Sequence, residues 1–429
     1  MKLLLSADLH IGRASTRMPE AVEPDQLRAA RAWQDLVDLA VRERVDAVCL
    51  AGDVADQANR FWEAIGPLER GVEQLAEAGI RVFAVAGNHD HDVLTSLADN
   101  LGGRLRLLGR GGTWERATLT EAGQPVLHID GWSFAEEHAR ISPLDSYDLP
   151  DPGGVPVLGL VHGDLDAPGS DYGPLEMARL QSLPPAGWLL GHIHAPRLIT
   201  SESAAWVLYP GSPQALDPGE SGAHGVWLVD LAAGKLQTPR LRPLSSVRYE
   251  SLTVELDEQV ETEDDLQSRV LTAIRERAEA AAEESGTPLH CLSLRLEITG
   301  RSPLADQIPE LVKPLAEDFE SRAGQGALVV LDPPVRCAVQ PALDLAELAR
   351  DRSALGTTAR LLLELDKPEP AEDVARLVQD TRQKLHGVRH GRHYVGLPDD
   401  PPIDADLARR YLREQAQALL AELHGQVTS

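Results

Sequence analysis

The sequence predicts an α/β fold made of βαβ units around a largely parallel sheet, on three observations. Short apolar runs at residues 2–7, 46–51 and 80–86 have the length and composition of buried strands. Two stretches between them, residues 24–43 and 60–78, repeat apolar positions at intervals of three and four, the period of amphipathic helices. Polar motifs follow directly on the apolar runs: Asp8-Leu9-His10, Gly52-Asp53-Val54-Ala55-Asp56 and Gly87-Asn88-His89-Asp90. Strand–helix alternation implies right-handed crossovers and parallel pairing. In such sheets, function gathers beyond the carboxyl ends of the strands.

A second series of runs, residues 155–161, 186–190, 205–209 and 224–230, has short strands and Gly/Pro turns and is expected to form a more antiparallel half. The texture changes near residue 245. Strands at 248–256 and 289–299 flank a charged helix at 262–284, and a helix near 304–320 and a strand near 327–339 complete a compact α+β module. From residue 343 the chain is helical and amphipathic, with a break at Lys367-Pro368-Glu369-Pro370 and a last helix at 404–423. At 429 residues the chain is too long for one ordinary core. The expected division is 1–245, 246–342 and 343–429.

Composition bounds the function. Asp and Glu total 67 against 41 Lys and Arg, a net charge of −26, and Lys2, Lys235, Lys313, Lys367 and Lys384 are the only lysines. A surface that coats nucleic acid needs cations, since neutralising phosphates supplies most of its affinity. Three routes around that objection stay open: a metal centre that supplies charge locally, a high-salt cytoplasm suited to an acidic surface, or a partner that does most of the holding. The three cysteines, Cys49, Cys291 and Cys337, are odd in number and far apart, as small apolar residues in a reducing cytoplasm would be. Met1-Lys2-Leu3-Leu4-Leu5-Ser6 is too short an apolar run for a signal peptide, and no long uninterrupted apolar run follows, so a cytoplasmic location without membrane contact is expected.

Two further motifs, Val161-His162-Gly163 and Gly191-His192-Ile193-His194, complete an ordered set of five. Asp8 and His10 stand two apart, as do His192 and His194, and in an extended segment alternate side chains point the same way. Each pair can therefore aim two donors at one site. Carboxylates, an amide oxygen and imidazoles together suit divalent transition metals. Asp53, at a strand end, is the candidate to bridge two ions. Each motif alone is weak: Asp-x-His is more often a turn or a cap, and Gly-Asn-His-Asp is usually a loop. The order and spacing of all five decide for metal.

The set resembles the calcineurin-like metallophosphoesterase superfamily, whose pattern is Asp-x-His, Gly-Asp-x-x-Asp, Gly-Asn-His-Asp/Glu, His and Gly-His-x-His. Within it, residues 7–13 (Ala-Asp-Leu-His-Ile-Gly-Arg) and 209–214 (Tyr-Pro-Gly-Ser-Pro-Gln) resemble the SbcD family of DNA repair exonucleases. The resemblance implies a four-layer α/β/β/α core with a small α+β cap and a helical C-terminal tail. It implies that Asp8, His10, Asp53 and His194 hold one metal, and that Asp53, Asn88, His162 and His192 hold the other. Two Mn2+ per chain are expected, with Mg2+ or another divalent ion able to substitute, activating a shared hydroxide for in-line attack on phosphorus. His89 would contact the scissile phosphate, and Asp56 would orient His89. Implied with these are DNA as substrate, double-strand break repair as the setting, and an SbcC-like coiled-coil ATPase as partner in a homodimer or heterotetramer.

The rival reading is a phosphomonoesterase or cyclic-nucleotide phosphodiesterase on the same metals, which needs neither cap nor tail. A non-catalytic scaffold is disfavoured because the ligands and His89 are all present. Weaker signals are Arg13, a candidate phosphate contact; His91, read as a loop residue; and Tyr172, read as a packed aromatic. The basic stretch Arg382, Lys384, His386, Arg389, His390, Arg392 and His393 could face DNA or an acidic partner. Apolar tail positions Leu345, Leu348, Leu412, Ala416, Leu419 and Leu423 are expected to pack within the chain, or to seat a partner helix.

Overall fold

The structure, a computed structural model, describes residues 1–56, 63–200, 205–285, 288–323, 326–389 and 403–428. Two compact units form. One comprises Met1–Leu252, Ile274–Arg295 and Asp318–Pro334; the other comprises Thr253–Ala273, Leu296–Glu317 and Val335–Ser429.

The first unit opens with β1 (Lys2–Ser6), α1 (Ala29–Glu43), β2 (Ala47–Ala51), α2 (Ile65–Glu77), β3 (Arg81–Val85), α3 (Val93–Asn100) and β4 (Leu105–Leu107). It continues through β5 (Trp114–Glu121), β6 (Gln124–Trp132), β7 (Val157–His162), α4 (Met177–Ser182), β8 (Gly187–Gly191), β9 (Arg197–Ile199) and β10 (Trp206–Tyr209). It then returns through β11 (Gly225–Ala232), β12 (Lys235–Leu236) and β13 (Arg240–Pro243). One sheet runs β12-β11-β1-β2-β3-β4, with β13 beside β11; the second runs β5-β6-β7-β8-β10-β9. Alternation along each strand sends side chains to opposite faces. Leu3, Leu5, Cys49 and Val85 of the first sheet meet Ile129, Leu158, Leu160, Leu189 and Leu208 of the second. Leu4, Val48, Leu50 and Val82 face the other way, onto Trp33, Leu36 and Val37 of α1 and Leu68 and Val72 of α2. The outer face of the second sheet, with Val161, Trp188, Leu190 and Val207, packs on Leu180 of α4 and on Leu144 and Leu175. The result is the expected α/β/β/α stack. Each fully buried Leu or Val contributes roughly 1.5–3 kcal/mol.

The second sheet departs from the antiparallel half expected of it. Pairs β6–β7, β7–β8 and β8–β10 are parallel, and only the edge pairs β5–β6 and β9–β10 are antiparallel. Its crossovers are loops and the short α4, so the helical period that announces a parallel crossover is missing between these strands. The run at 224–230 leaves that sheet altogether, since β11 lies antiparallel beside β1, with Leu3 opposite Val229.

Beyond β13 lie β14 (Val247–Leu256), α5 (Glu263–Glu284), β15 (Cys291–Ser302), α6 (Ile308–Asp318), β16 (Glu320–Ala323), β17 (Ala327–Leu331) and β18 (Arg336–Pro341). β14, α5 and β15 run through both units. In the first unit the start of β15 pairs in parallel with β17, Cys291 opposite Leu328, and β16 lies antiparallel to β17. The strand expected at 327–339 is therefore two strands, because Pro333 and Pro334 offer no N–H to continue the ladder.

In the second unit the end of β15 pairs in parallel with β18, from Glu297 opposite Arg336 to Ser302 opposite Pro341. The helices that follow β18 are α7 (Leu345–Leu348), α8 (Ala354–Leu365), α9 (Glu372–Arg389) and α10 (Ala405–Thr428). Side chains cap two of them: Asp344 accepts the N–H of Ala346 and Glu347, and Ser353 accepts that of Gly356. Leu355, Ala359 and Leu362 of α8 close on Ala416 and Leu420 of α10, with Leu345, Leu348 and Leu423 alongside; Leu412 joins Val374 and Val378. The apolar stripe thus packs inside the unit, except that Leu419 is 47 % exposed while Leu420 takes the buried position. Arg382, Lys384, His386 and Arg389 fall on α9, whereas His390, Arg392 and His393 lie outside the described residues. Cys49 and Cys291 are buried free thiols and Cys337 is half-buried. Among the described residues no helix is long and apolar enough to cross a membrane.

Candidate metal centre

Five strand ends converge. Asp8 and His10 follow β1, Asp53 follows β2, Asn88 and His89 follow β3, His162 closes β7, and His192 and His194 follow β8. The turns are tight: Asp8, His10, Asp53 and His192 have φ of 52°, 46°, 50° and 98°. Non-glycine residues there cost about 1–3 kcal/mol each and persist only where surrounding contacts impose them. Those contacts are visible. The N–H groups of Asp8, His10 and Ile11 donate to Gly52, Asp53 and Val54 oxygens at 3.0, 2.9 and 3.0 Å, zipping the first two motifs together. Gly191 lets the sheets approach: a Cβ there would stand 1.9 Å from the Ala51 oxygen and 2.5 Å from His162 Nδ1.

Asp8, His10, Asp53, Asn88 and His162 are buried, an arrangement of charge that is unstable without a counterpart. Asp8 Oδ1 accepts the His192 N–H at 2.9 Å, while Asp8 Oδ2 is buried with no hydrogen-bond partner. Asp53 Oδ2 lies 3.5 Å from His162 Nε2, 3.8 Å from His10 Nε2 and 3.9 Å from His89 Nε2. His10 Nε2 and His194 Nε2 are 3.0 Å apart, and His162 Nε2 is 3.1 Å from Asn88 Oδ1. Donor atoms of Asp8, His10 and His194 lie within 4.8 Å of one another, as do those of Asp8, Asp53 and His162.

These two adjoining clusters fit two divalent cations. The orphaned Asp8 oxygen, the facing imidazole nitrogens and the mixed O/N donor set each ask for positive charge at their centre. Asp53 Oδ2, between His10 and His162, is placed to face both.

His192 stands at the edge of the set. Its ring is 5.3 Å from that of His162, but its Nε2 faces Asp164 Oδ1 at 3.3 Å, and it belongs to neither cluster. His89, with a side chain 34 % exposed, meets His10 edge-on at 5.1 Å. Asp56 Oδ1 is 3.5 Å from His10 Nδ1, and Asp56, His10 and His89 also bring donor atoms within 4.8 Å, so this carboxylate is in reach of both imidazoles.

Electrostatics follow from these contacts. Burial pushes the Asp53 carboxyl up, but His162, His10 and His89 together hold it below its ordinary range. Burial lowers His89 and His192. In His162 and His194 burial is outweighed, by Asp53 and Asp8 in the first case and by the Glu220 hydrogen bond and Asp8 in the second, and both are raised.

Sequence reasoning missed several supports. Asp90, the last residue of Gly-Asn-His-Asp, is fully buried and accepts N–H groups from Gly87 at 2.8 Å, Val54 at 2.6 Å and Ala55 at 3.3 Å, binding the second motif to the third. Burial and the Asp53 charge push Asp90 up to about 7. Glu220, in a loop with no local signal, accepts the His194 Nδ1 proton at 2.7 Å. The stretch 209–214 buttresses the site from behind: the Ser212 N–H donates to the His194 oxygen at 3.1 Å, and Tyr209 donates its hydroxyl to the Gly163 oxygen at 2.6 Å and accepts the Leu165 N–H at 2.9 Å. Of the weaker signals, His91 Nδ1 sits 3.2 Å from the Asn88 oxygen, and Tyr172 lies on the His192 ring at 5.1 Å. Arg13 is half-buried and its charge is felt at His194.

Residues 1–196 match the calcineurin-like phosphoesterase family, and residues 249–332 match the middle domain of the metallophosphoesterase YhaO. YhaO of Bacillus subtilis (strain 168), named an uncharacterized metallophosphoesterase, is 28% identical over 320 residues, spanning 70% of this chain and 71% of that one. The SbcD component of the nuclease SbcCD from Rhodobacter capsulatus is 27% identical over 291 residues, spanning 57% of this chain and 69% of its own. The DNA double-strand break repair protein Mre11 of Aeropyrum pernix is 28% identical over 266 residues, spanning 56% and 61%. The relation to the SbcD and Mre11 proteins is thus a distant one. Motif order, donor chemistry and family match agree: over residues 1–196 the chain carries the features of a calcineurin-like metallophosphoesterase, a metal-dependent hydrolase of phosphate esters.

Proposed function

We propose that this metallophosphoesterase is a manganese-dependent DNA nuclease, acting as exonuclease and endonuclease in double-strand break repair as the nuclease half of a complex with an SbcC-like coiled-coil ATPase. One observation carries the reading: His89 reaches solvent beside two largely buried donor clusters that share Asp8. Two bound divalent ions supply charge for a phosphoryl group and a nucleophile drawn from water. Around them Asp53 Oδ2 faces both clusters, Asp8 and Asn88 contribute oxygen, and the exposed edge of His89 meets the scissile phosphate and steadies the leaving oxygen. In this reading residues 246–342 cap the nuclease domain and 343–429 receive the partner.

The names of the SbcCD and Mre11 relatives, a nuclease and a DNA double-strand break repair protein, support DNA as substrate. The net charge of −26 supports a partner, because ATPase heads would contribute the phosphate-binding surface that an acidic chain lacks. The same charge favours the second reading, hydrolysis of small phosphomonoesters or cyclic nucleotides, which needs no such surface. Turnover of end-labelled hairpin and linear duplexes against aryl phosphates, in manganese, with and without the co-purifying ATPase, separates the two. Cleavage of DNA enhanced by the ATPase is expected. Turnover confined to aryl phosphates, with duplexes untouched in either condition, removes the nuclease reading.

A further inference from the structure

We infer that Glu220 and Asp164 are positioning residues that lock the Gly-His-Ile-His pair in opposite tautomers, so that His194 presents Nε2 to the candidate ions and His192, at the edge of the set, keeps Nδ1 as its free donor. The inference rests on the two-metal reading above and assigns residues that lie in none of the five motifs.

The His194 half is closed by hydrogen bonds. Nδ1 donates to Glu220 Oε1 at 2.7 Å, and the opposite nitrogen, Nε2, stands 3.0 Å from His10 Nε2. Glu220 is itself fixed: its other oxygen, Oε2, accepts the Ser212 hydroxyl at 2.6 Å and the Leu216 N–H at 2.9 Å. Oε1 is thereby kept for His194. In the His192 half the ring is turned the other way. A φ of 98° and the N–H bond to Asp8 set its backbone, Tyr172 lies on its face, and Nε2 is 3.3 Å from Asp164 Oδ1. Asp164 in turn accepts the Ser170 hydroxyl. His162 obeys the same rule with a backbone acceptor, Nδ1 on the Ala51 oxygen at 3.0 Å and Nε2 inward beside Asn88. An oxygen on the outer nitrogen pins the proton there and leaves the inner lone pair free for a cation, which fixes ring orientation and raises donor strength.

Two measurements on the full chain test this. Long-range 15N–1H correlation of the imidazoles in metal-free protein is expected to find the His194 proton on Nδ1 and the His192 proton on Nε2; the reverse assignment overturns the inference. Manganese titration followed by the electron paramagnetic resonance of free Mn2+ is expected to show binding weakened about 10–100-fold in Glu220→Ala and in Asp164→Ala. Glu220→Gln, whose Oε1 can still accept the proton, should lose less. Binding within twofold of the parent in both alanine variants, with ellipticity unchanged, overturns the positioning roles. Should Glu220→Ala not fold, Glu220→Gln decides for Glu220: His194 must keep its proton on Nδ1 in that variant, and a switch to Nε2 sinks the assignment. A parent chain that takes up no manganese overturns the metal reading itself, a different outcome from variants that bind like the parent.

Discussion

Asp53 divides its two oxygens between holding the fold and facing the donor clusters: Oδ1 accepts the His89 N–H at 3.0 Å, and Oδ2 faces His10, His89 and His162. Removing this carboxylate takes a charge from both half-sites at once, so Asp53→Ala is expected to lose both ions, measured as manganese per chain after gel filtration. His89 is different, since neither metal set needs it. In His89→Ala the metal content should stay at the parent value while turnover falls ~10²–10⁴-fold, the usual worth of a positioned acid or phosphate contact. Near-normal rates would remove His89 from the chemistry. At this scale the sequence is informative because donor type is a property of each residue: Asp8, His10, Asp53, Asn88, His162 and His194 all follow from chemistry and order, and the structure brings them together. Glu220 is invisible there for the opposite reason. A glutamate 26 positions from His194 has no spacing to mark it, and its role exists only once the chain folds back.

Strand ends and the loops between them decide whether those donors meet. Asp90 ties three backbone N–H groups from two motifs. Leaving buried donors unsatisfied costs roughly 1–3 kcal/mol each. Not all three would be orphaned after relaxation, so Asp90→Ala should lose about 2–4 kcal/mol, read from the urea midpoint, together with weaker manganese binding. A midpoint unchanged from the parent would mean that the motifs are held by something else. The first sheet is legible in the sequence because helices with a 3.6-residue period separate its strands. In the second sheet, loops and a six-residue helix make the parallel crossovers, and short loops with Gly and Pro look alike whether the next strand runs up or down. The tail is legible too at Leu345, Leu348, Leu412, Ala416 and Leu423, which pack within it, while Leu419 is exposed and Leu420 beside it is buried. Adjacent positions on a helix differ by about 100°, so an error of one residue exchanges a buried face for an exposed one.

For the whole molecule, an acidic chain that buries Asp8 and Asp53 beside one another is expected to gain stability from bound cations. Chelation is therefore expected to lower the melting temperature. Re-adding manganese at about a hundred times its dissociation constant should restore about 2.7 kcal/mol for each ion bound, since a ligand that binds only the folded state stabilises by mass action. A melting temperature indifferent to chelator and to manganese would contradict a two-ion centre.

By itself, the sequence determined which groups can ligate, in what order they come, and that strand ends would carry them, because side-chain chemistry and periodicity are local. Only the tertiary structure decided which carboxylates face His192 and His194, and that three strand pairs of the second sheet are parallel. Those choices are made by contacts between residues far apart in the chain, such as Asp8 with His192 and His194 with Glu220, whose energies no local pattern records.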